Sequence, residues 1–275
     1  MCRMLPDLVQ VRELGQANTR VTLMRNVTSG ELICRKSISA VAPNWDSQVR
    51  QMRNEFEVGR GNTHRALRRS LDFGIIRRRL RAVEACLLLE YVEGAPLDVW
   101  ATHASVARLL KVFWHVADGL DELHRRGYVH ADIKPQNILC ASNGRPTLID
   151  FGQSCPMLHT KQRVQGTADF IAPEQARCQP LEVRTDVFCL GATMHMVFLG
   201  RPAQTQLNAS SVRKGGRIVL ERRTLQRNGS EGELDAPLAI LIEDCLQPDR
   251  ADRPANMSMV KDRLELCYRR ADRAT

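Results

Sequence analysis

The sequence predicts an α+β protein with a small β-rich N-terminal lobe, which carries one long helix, and a larger, mainly helical C-terminal lobe. Strand-like runs fill the first 90 residues, a long helical pattern follows Pro96, and helical patterns dominate from Asp186 onward. The chain has 275 residues, of which 43% are hydrophobic and 26% charged, which is enough for one large or two small domains with a real core. This composition excludes a largely disordered chain.

The N-terminal lobe is predicted to contain five strands and a helix. Short runs of β-branched and apolar residues, separated by turn residues, predict strands at 11–14, 21–25, 32–37, 71–76 and 85–92. The spacing of Val49, Met52 and Phe56 predicts a helix over about 47–60. The cluster of arginines at 77–81 lies between the last two strands, so we expect it at the tip of a hairpin.

The C-terminal lobe is predicted to begin with a long amphipathic helix over 106–126, which Gly127 ends. Strands follow at 137–140 and 146–149, and the clearest later helices lie at 237–246 and 254–268. The polar segment 203–234 has no assignable pattern. We therefore expect an N-terminal lobe over about 1–89, a hinge at 90–94, a C-terminal lobe over about 95–268 and a short polar tail at 269–275.

Composition limits the cellular setting and the partners. Nine cysteines without a CxxC pair argue against a zinc site or a disulfide framework and favour a reducing cytoplasm. No secretory signal and no apolar run of about 20 residues is present, so we expect no membrane span. The net charge of +9 comes from 34 Arg and 6 Lys. We expect no nucleic-acid partner and interpret the arginine clusters, Arg65, Arg68 and Arg69 included, as a solvated face; an anionic partner is the alternative.

Three local clusters carry the chemistry. They are YVHADIKPQNIL at 128–139, LIDFG at 148–152 and GTADFIAPE at 166–174. Together they resemble the catalytic loop, the DFG turn and the APE segment of eukaryotic-type (Hanks-type) protein serine/threonine kinases, and are most similar to bacterial members. Their order agrees with the family, as do the spacings of 18 residues from Asp132 to Asp150 and 24 from there to Glu174.

The residue types suit phosphoryl transfer, which needs positioning and charge neutralisation more than covalent chemistry. Asp132 can accept the proton of an attacking hydroxyl, and Lys134 supplies a positive charge for the γ-phosphate. Asn137 and Asp150 offer the hard oxygen ligands that Mg²⁺ prefers. ATP and Mg²⁺ are therefore the expected cofactors.

The resemblance implies further residues in the N-terminal lobe. Lys36 takes the role of the strand lysine that binds the α- and β-phosphates, with Arg35 as its competitor. Its helical partner is Glu55, with Glu57 as the alternative. The degenerate glycine-rich loop keeps only Gly15 of its usual glycines.

An adenine site is also implied. Leu89 takes the place of the residue that controls access to the back of the site, and the backbone groups of Glu90 and Val92 would meet adenine. The residues implied to enclose the ring are Val21, Cys34 and Leu139.

Two structural pairings are implied downstream. Asp186 should brace the backbone of the catalytic loop, because it begins the segment that resembles the central helix of the family. Arg253 should pair with Glu174 of the APE segment.

The chain departs from the family at three places. Ala17 and Thr19 replace glycines in a loop that is one residue short, so fewer backbone amides can close over phosphates. Ala131 replaces an arginine that normally pairs with an activation-loop phosphate, so we expect activity without phosphorylation of that loop. By resemblance, Gly59 and Ser70 stand at two positions where bulky residues normally pack in a column. If the alignment with the family is shifted by one residue, Val58 and Leu71 occupy these positions instead.

The sequence thus predicts a serine/threonine kinase that transfers the γ-phosphate of ATP to Ser or Thr hydroxyls of protein substrates, with the chain itself as a candidate acceptor. A pseudokinase that binds partners without transfer is the alternative, since the glycine-rich loop is degenerate. A small-molecule kinase is a third reading, but such enzymes lack the APE segment and the Arg253 motif.

Overall fold

The computed structural model describes residues 7–16, 18–203, 213–214, 217–218, 224–227 and 230–273. The chain divides into two compact units. The first contains the residues up to Glu93 together with Asp150–Gln153, and the second contains Gly94–Ile149 and the residues from Ser154 onward. The division after Glu93 falls inside the predicted hinge. The sequence placed Asp150–Gln153 in the C-terminal lobe, whereas these residues pack with the first unit.

The first unit is an antiparallel five-stranded sheet with one helix, as predicted. The strands are β1 Leu8–Gln16, β2 Arg20–Asn26, β3 Leu32–Ser39, β4 Ser70–Arg78 and β5 Arg81–Glu90, in the order β1-β2-β3-β5-β4. Helix α1 covers Trp45–Gly59. The arginine cluster lies at the exposed β4–β5 tip, where Arg79 adopts a φ of 53°.

Strand β5 explains why its sequence is apolar without interruption. Successive side chains point to opposite faces of a sheet, and both faces of β5 are covered. Ala85, Leu87 and Leu89 pack in one buried cluster with residues of β3 and α1, while Cys86 and Leu88 pack in a second cluster on the other face. The first cluster anchors α1 to the sheet.

The second unit is mainly helical. Its helices are α2 Leu97–Ala101, α3 Val106–Arg125, α4 Pro173–Ala176, α5 Val183–Leu199, α6 Ala236–Cys245 and α7 Met257–Arg273. The predicted long helix is α3, and the hydroxyl of Ser105 caps it by accepting from the amide of Arg108 at 3.3 Å. Helix α7 continues to Arg273, so most of the predicted polar tail is helical.

Short strands complete the second unit. A three-stranded sheet has the order β6-β8-β9, with β6 Ala95–Pro96, β8 Ile138–Cys140 and β9 Pro146–Leu148, while β7 Tyr128–Val129 pairs with β10 Cys155–Pro156. The segment that the sequence left unassigned contains two antiparallel strand pairs, β11 Arg213–Lys214 with β12 Arg217–Ile218 and β13 Thr224–Arg227 with β14 Ser230–Glu233. Within the described part of the chain, no helix combines the length and apolar character needed to cross a membrane.

Candidate active site

Lys36 lies at the centre of an ion-pair network in the first unit. Its Nζ donates to Glu55 Oε2 at 2.8 Å and to Asp150 Oδ1 at 3.2 Å. Strand β3 presents Lys36, helix α1 presents Glu55, and the turn after β9 presents Asp150. The structure therefore brings together three of the residues that the resemblance implied.

The two alternatives left open by the sequence have other partners. Arg35 pairs with Glu84 of the neighbouring strand at 2.8 Å. Glu57 pairs with Arg60 in the next helical turn at 3.0 Å, and its side chain is 46% exposed. Neither residue belongs to the Lys36 network, so the geometry selects Lys36 and Glu55.

The charges in this network stabilise one another. Burial lowers the pKa of an ammonium, but the carboxylates of Glu55 and Asp150 outweigh this effect and raise the pKa of Lys36 above its ordinary value. Burial raises the pKa of a carboxyl, but the cations Lys36 and Arg68 hold the pKa of Asp150 at about 2. Lys36 and Asp150 are thus charged near neutral pH.

The Asp150 carboxylate suits a hard cation. The residue has a φ of 64°, a left-handed conformation that aspartate tolerates better than most residues, and the carbonyls of the two residues after it accept from the Asn54 amide at 3.1 and 3.3 Å. Its side chain is 42% exposed and ionised, so it can bind a metal ion. A carboxylate oxygen is the kind of ligand that Mg²⁺ prefers.

The residues implied for adenine divide between the units. Val21, Cys34 and Leu89 pack in one apolar cluster of the first unit. Burial raises the pKa of the Cys34 thiol, so this cysteine behaves as a small apolar residue. Leu139 is half-buried on β8 of the second unit.

The other implied nucleotide contacts lie on exposed or half-buried backbone of the first unit. The Glu90 amide donates to the Arg69 carbonyl at 2.9 Å, so this amide is not available to a ligand. Val92 is half-buried just beyond β5. Gly15 is exposed opposite Val21 in the β1–β2 hairpin.

The catalytic-loop residues converge around Asp132 in the second unit. Lys134 Nζ lies 3.2 Å from Asp132 Oδ2, and Asn137 Nδ2 donates to the same oxygen at 3.2 Å and to the Asp132 carbonyl at 2.8 Å. Thr167 of the third motif accepts from Lys134 at 2.8 Å and donates to Asp132 Oδ1 at 3.3 Å. This arrangement leaves the amide oxygen of Asn137 available for a cation.

Ala131, directly before Asp132, is held in a left-handed conformation with a φ of 61°. Such a conformation costs a non-glycine residue about 1–3 kcal/mol and persists only when its surroundings fix it. Asp186 Oδ1 accepts from the Ala131 amide at 2.9 Å, and Asp186 Oδ2 accepts from the amide of His130 at 2.8 Å. The predicted brace by Asp186 is therefore present.

The predicted pairing of Arg253 with Glu174 is also present. Arg253 Nη1 and Nη2 donate to the two carboxylate oxygens at 2.8 and 3.0 Å, and both side chains are almost fully buried. Burial raises the pKa of Glu174, but the Arg253 guanidinium outweighs this and lowers it.

Sequence reasoning missed the role of one arginine and left one register open. Arg68, interpreted as part of a solvated face, is buried and binds Glu55 at 2.7 Å, so that interpretation is wrong for this residue. The Gly59–Ser70 register holds, because a Cβ on Gly59 would collide with the Ser70 hydroxyl. The linear sequence did not indicate the contact of Arg68 with Glu55, because it depends on how the loop before β4 packs against α1.

The match to a family model agrees with this geometry. Residues 8–264 match the protein kinase domain, which is nearly the whole chain, and the chain belongs to the protein kinase family. It is similar to the probable serine/threonine-protein kinase PknB of Bifidobacterium longum, with 32% identity over 46% of this chain. It is also similar to the serine/threonine-protein kinase Pkn1 of Myxococcus xanthus, with 34% identity over 42% of this chain.

These relatives are much longer proteins. The matched regions cover 20% of the Bifidobacterium longum protein and 18% of the Myxococcus xanthus protein. The chain thus spans about a fifth of the length of these curated relatives. A match of 26% identity to mitogen-activated protein kinase kinase kinase 8 of Rattus norvegicus covers 64% of this chain and 38% of that protein.

Proposed function

We propose that this domain transfers the γ-phosphoryl group of ATP to Ser or Thr hydroxyls of protein substrates, itself included. The observation that carries the proposal is the convergence of Lys134, Asn137 and Thr167 on the Asp132 carboxylate. A carboxylate fixed by three neighbours is suited to accept a proton from a positioned hydroxyl.

In the proposed reaction, Asp132 takes the proton of the substrate hydroxyl as its oxygen forms a bond to the γ-phosphorus and the bond to the leaving ADP oxygen breaks. Lys134 offsets the negative charge that develops on the transferred group. Lys36 orients the α- and β-phosphates. Mg²⁺, held by Asn137 and Asp150, would supply charge neutralisation on the phosphates.

A reducing compartment such as the cytoplasm is the proposed setting for this domain. Eight cysteines of the described residues are free thiols, and seven of them are buried. Disulfide-poor, thiol-rich domains are typical of reducing compartments.

The test is transfer of labelled γ-phosphate from ATP with Mg²⁺ to a generic basic protein and to the domain itself. Asp132→Asn should lower transfer by about 10²–10⁴-fold, because it removes the proton acceptor. Asp262→Asn, the same change on the exposed face of α7, should leave it unchanged. If wild type labels nothing and ATP with Mg²⁺ does not raise the melting temperature, the proposal fails in favour of a pseudokinase.

A further inference from the structure

The carboxylate of Glu55 has a second cationic partner besides Lys36. Arg68 Nη2 donates to Glu55 Oε1 at 2.7 Å, while Lys36 Nζ binds Oε2. The side chain of Glu55 is completely buried and that of Arg68 is only 9% exposed. Each carboxylate oxygen therefore carries its own ion pair in a place that water barely reaches.

The backbone of Arg68 is fixed on both sides. Asn62 Nδ2, just beyond the end of α1, donates to the Arg68 carbonyl at 2.9 Å. The next residue, Arg69, exchanges hydrogen bonds with Glu90 at the end of β5, through its amide at 3.2 Å and its carbonyl at 2.9 Å. The guanidinium is thus delivered to Glu55 from a loop tied to both α1 and β5.

The charges balance when Arg68 is counted. Two cations, Lys36 and Arg68, face two carboxylates, Glu55 and Asp150. If Lys36 turns toward bound phosphates, Arg68 remains as a counter-charge for Glu55. Without it, a buried carboxylate would lose its partner, which is strongly unfavourable.

A second polar contact ties the same turn of α1 to β4. The Ser70 hydroxyl donates to the backbone carbonyl of Glu55 at 2.9 Å. Gly59 permits this approach, because any side chain there would collide with Ser70. The small residues at these two positions therefore allow α1 to lie close to β4.

We propose that Arg68 is a positioning residue for phosphoryl transfer, which holds Glu55, and through it Lys36, in the geometry that binds phosphates. The inference rests on the proposed function. Because Arg68 belongs to the same domain as helix α1, Glu55 needs no activating partner to stay beside Lys36.

The first test compares binding of Mg²⁺–ATP and of adenosine by calorimetry. Arg68→Met should weaken ATP binding about 10- to 100-fold, the equivalent of one hydrogen bond between Lys36 and a charged phosphate. It should leave adenosine binding unchanged, because adenosine has no phosphates for Lys36. Arg68→Lys should recover part of the loss, since it keeps the charge. Arg65→Met, in the same loop but exposed, is the matched control. Equal weakening of both ligands would mean a merely structural role and overturn the proposal.

The second test asks whether Arg68 acts through Glu55. In a double-mutant cycle of Glu55→Gln and Arg68→Met, the double variant should transfer phosphate no more slowly than Glu55→Gln alone. Multiplicative effects would overturn the proposal. The double variant also removes the unpaired carboxylate, so it should regain melting temperature lost in Arg68→Met.

The melting-temperature cycle needs neither nucleotide nor activity. If the melting-temperature changes of Glu55→Gln and Arg68→Met are strongly coupled, Arg68 holds Glu55 even when wild type transfers no phosphate. In that case only the proposed function fails. Additive melting-temperature changes would mean that the two side chains do not stabilise each other, and the brace would be rejected.

Discussion

The side-chain amide of Gln175 donates to the backbone carbonyl of Ala131 at 2.8 Å, one residue before the proposed proton acceptor. Gln175 follows the APE segment, and its amide also lies 3.4 Å from the carbonyl of Gln165. The contact joins the third motif to the catalytic loop without any charge. It fixes the backbone of Ala131, the residue that, by resemblance, replaces an arginine that would pair with a phosphate.

We therefore expect activity without phosphorylation between the second and third motifs. Thr160 is exposed and can be modified, whereas Ser154 is buried with its hydroxyl 3.3 Å from the carbonyl of His130. Thr160→Ala and Ser154→Ala should both keep transfer within a few-fold of wild type, measured on protein whose phosphorylation state is read by intact mass. A requirement for phosphate at either residue would contradict this expectation.

Gln175→Leu should lower both activity and stability. The change keeps much of the volume but leaves the Ala131 carbonyl and the Ala172 amide without their partner, and each unsatisfied buried group costs about 1–3 kcal/mol. The measurements are the free energy of unfolding and kcat. Gln179→Leu, on an exposed position of the same segment, serves as the control. Equal effects of the two changes would argue that the hydrogen bond from Gln175 to the Ala131 carbonyl does not stabilise the catalytic loop.

Thr167 should matter through its hydroxyl. Thr167→Val preserves shape but removes the contacts to Lys134 Nζ and Asp132 Oδ1. We expect kcat to fall about 10- to 100-fold, which corresponds to about 1.5–3 kcal/mol for a hydrogen bond to a charged group. Thr167→Ser, which keeps the hydroxyl, should stay near wild type. If valine stays near wild type, the hydroxyl does not contribute to kcat and the prediction is wrong.

The Arg253–Glu174 pair should make stability depend on pH. Because the folded-state pKa of Glu174 is lowered, its contribution is fully present above the unfolded pKa of about 4.3 and is lost as pH falls through the folded value. Arg253→Met should cost about 3–5 kcal/mol at neutral pH, since it leaves a buried carboxylate unpaired.

The check is the difference in unfolding free energy between wild type and Arg253→Met across pH. The difference should be largest near neutral pH and shrink as pH falls below the unfolded pKa of about 4.3. Arg269→Met, which removes only an exposed pair with Glu265, should show almost no difference at any pH. A cost that does not change with pH would assign the effect of Arg253 to its uncharged contacts. These are the ring of Phe188 at 4.9 Å and the backbone carbonyls that accept from the guanidinium, those of Gln247, Arg184 and Pro248.

Much of the site could be predicted from the sequence because its residues belong to short motifs. Asp132, Lys134 and Asn137 lie within six residues, so one loop conformation places them all. The pairings of Lys36 with Glu55 and of Arg253 with Glu174 followed from the family resemblance and hold in the structure. The strands and long helices were predictable because their apolar residues repeat with the periods of a strand or a helix.

Other features depended on contacts that no linear pattern records. Arg68 is one of 34 arginines, and only the packing of its loop against α1 and β5 buries it beside Glu55. Ala131 looked like a simple loss of an arginine, whereas its backbone carbonyl accepts a hydrogen bond from Gln175, 44 residues later. The sequence alone therefore determined the motifs, their order and the architecture. Tertiary structure decided which buried polar groups satisfy one another, because a buried charge or amide must find a partner wherever the fold brings one within reach.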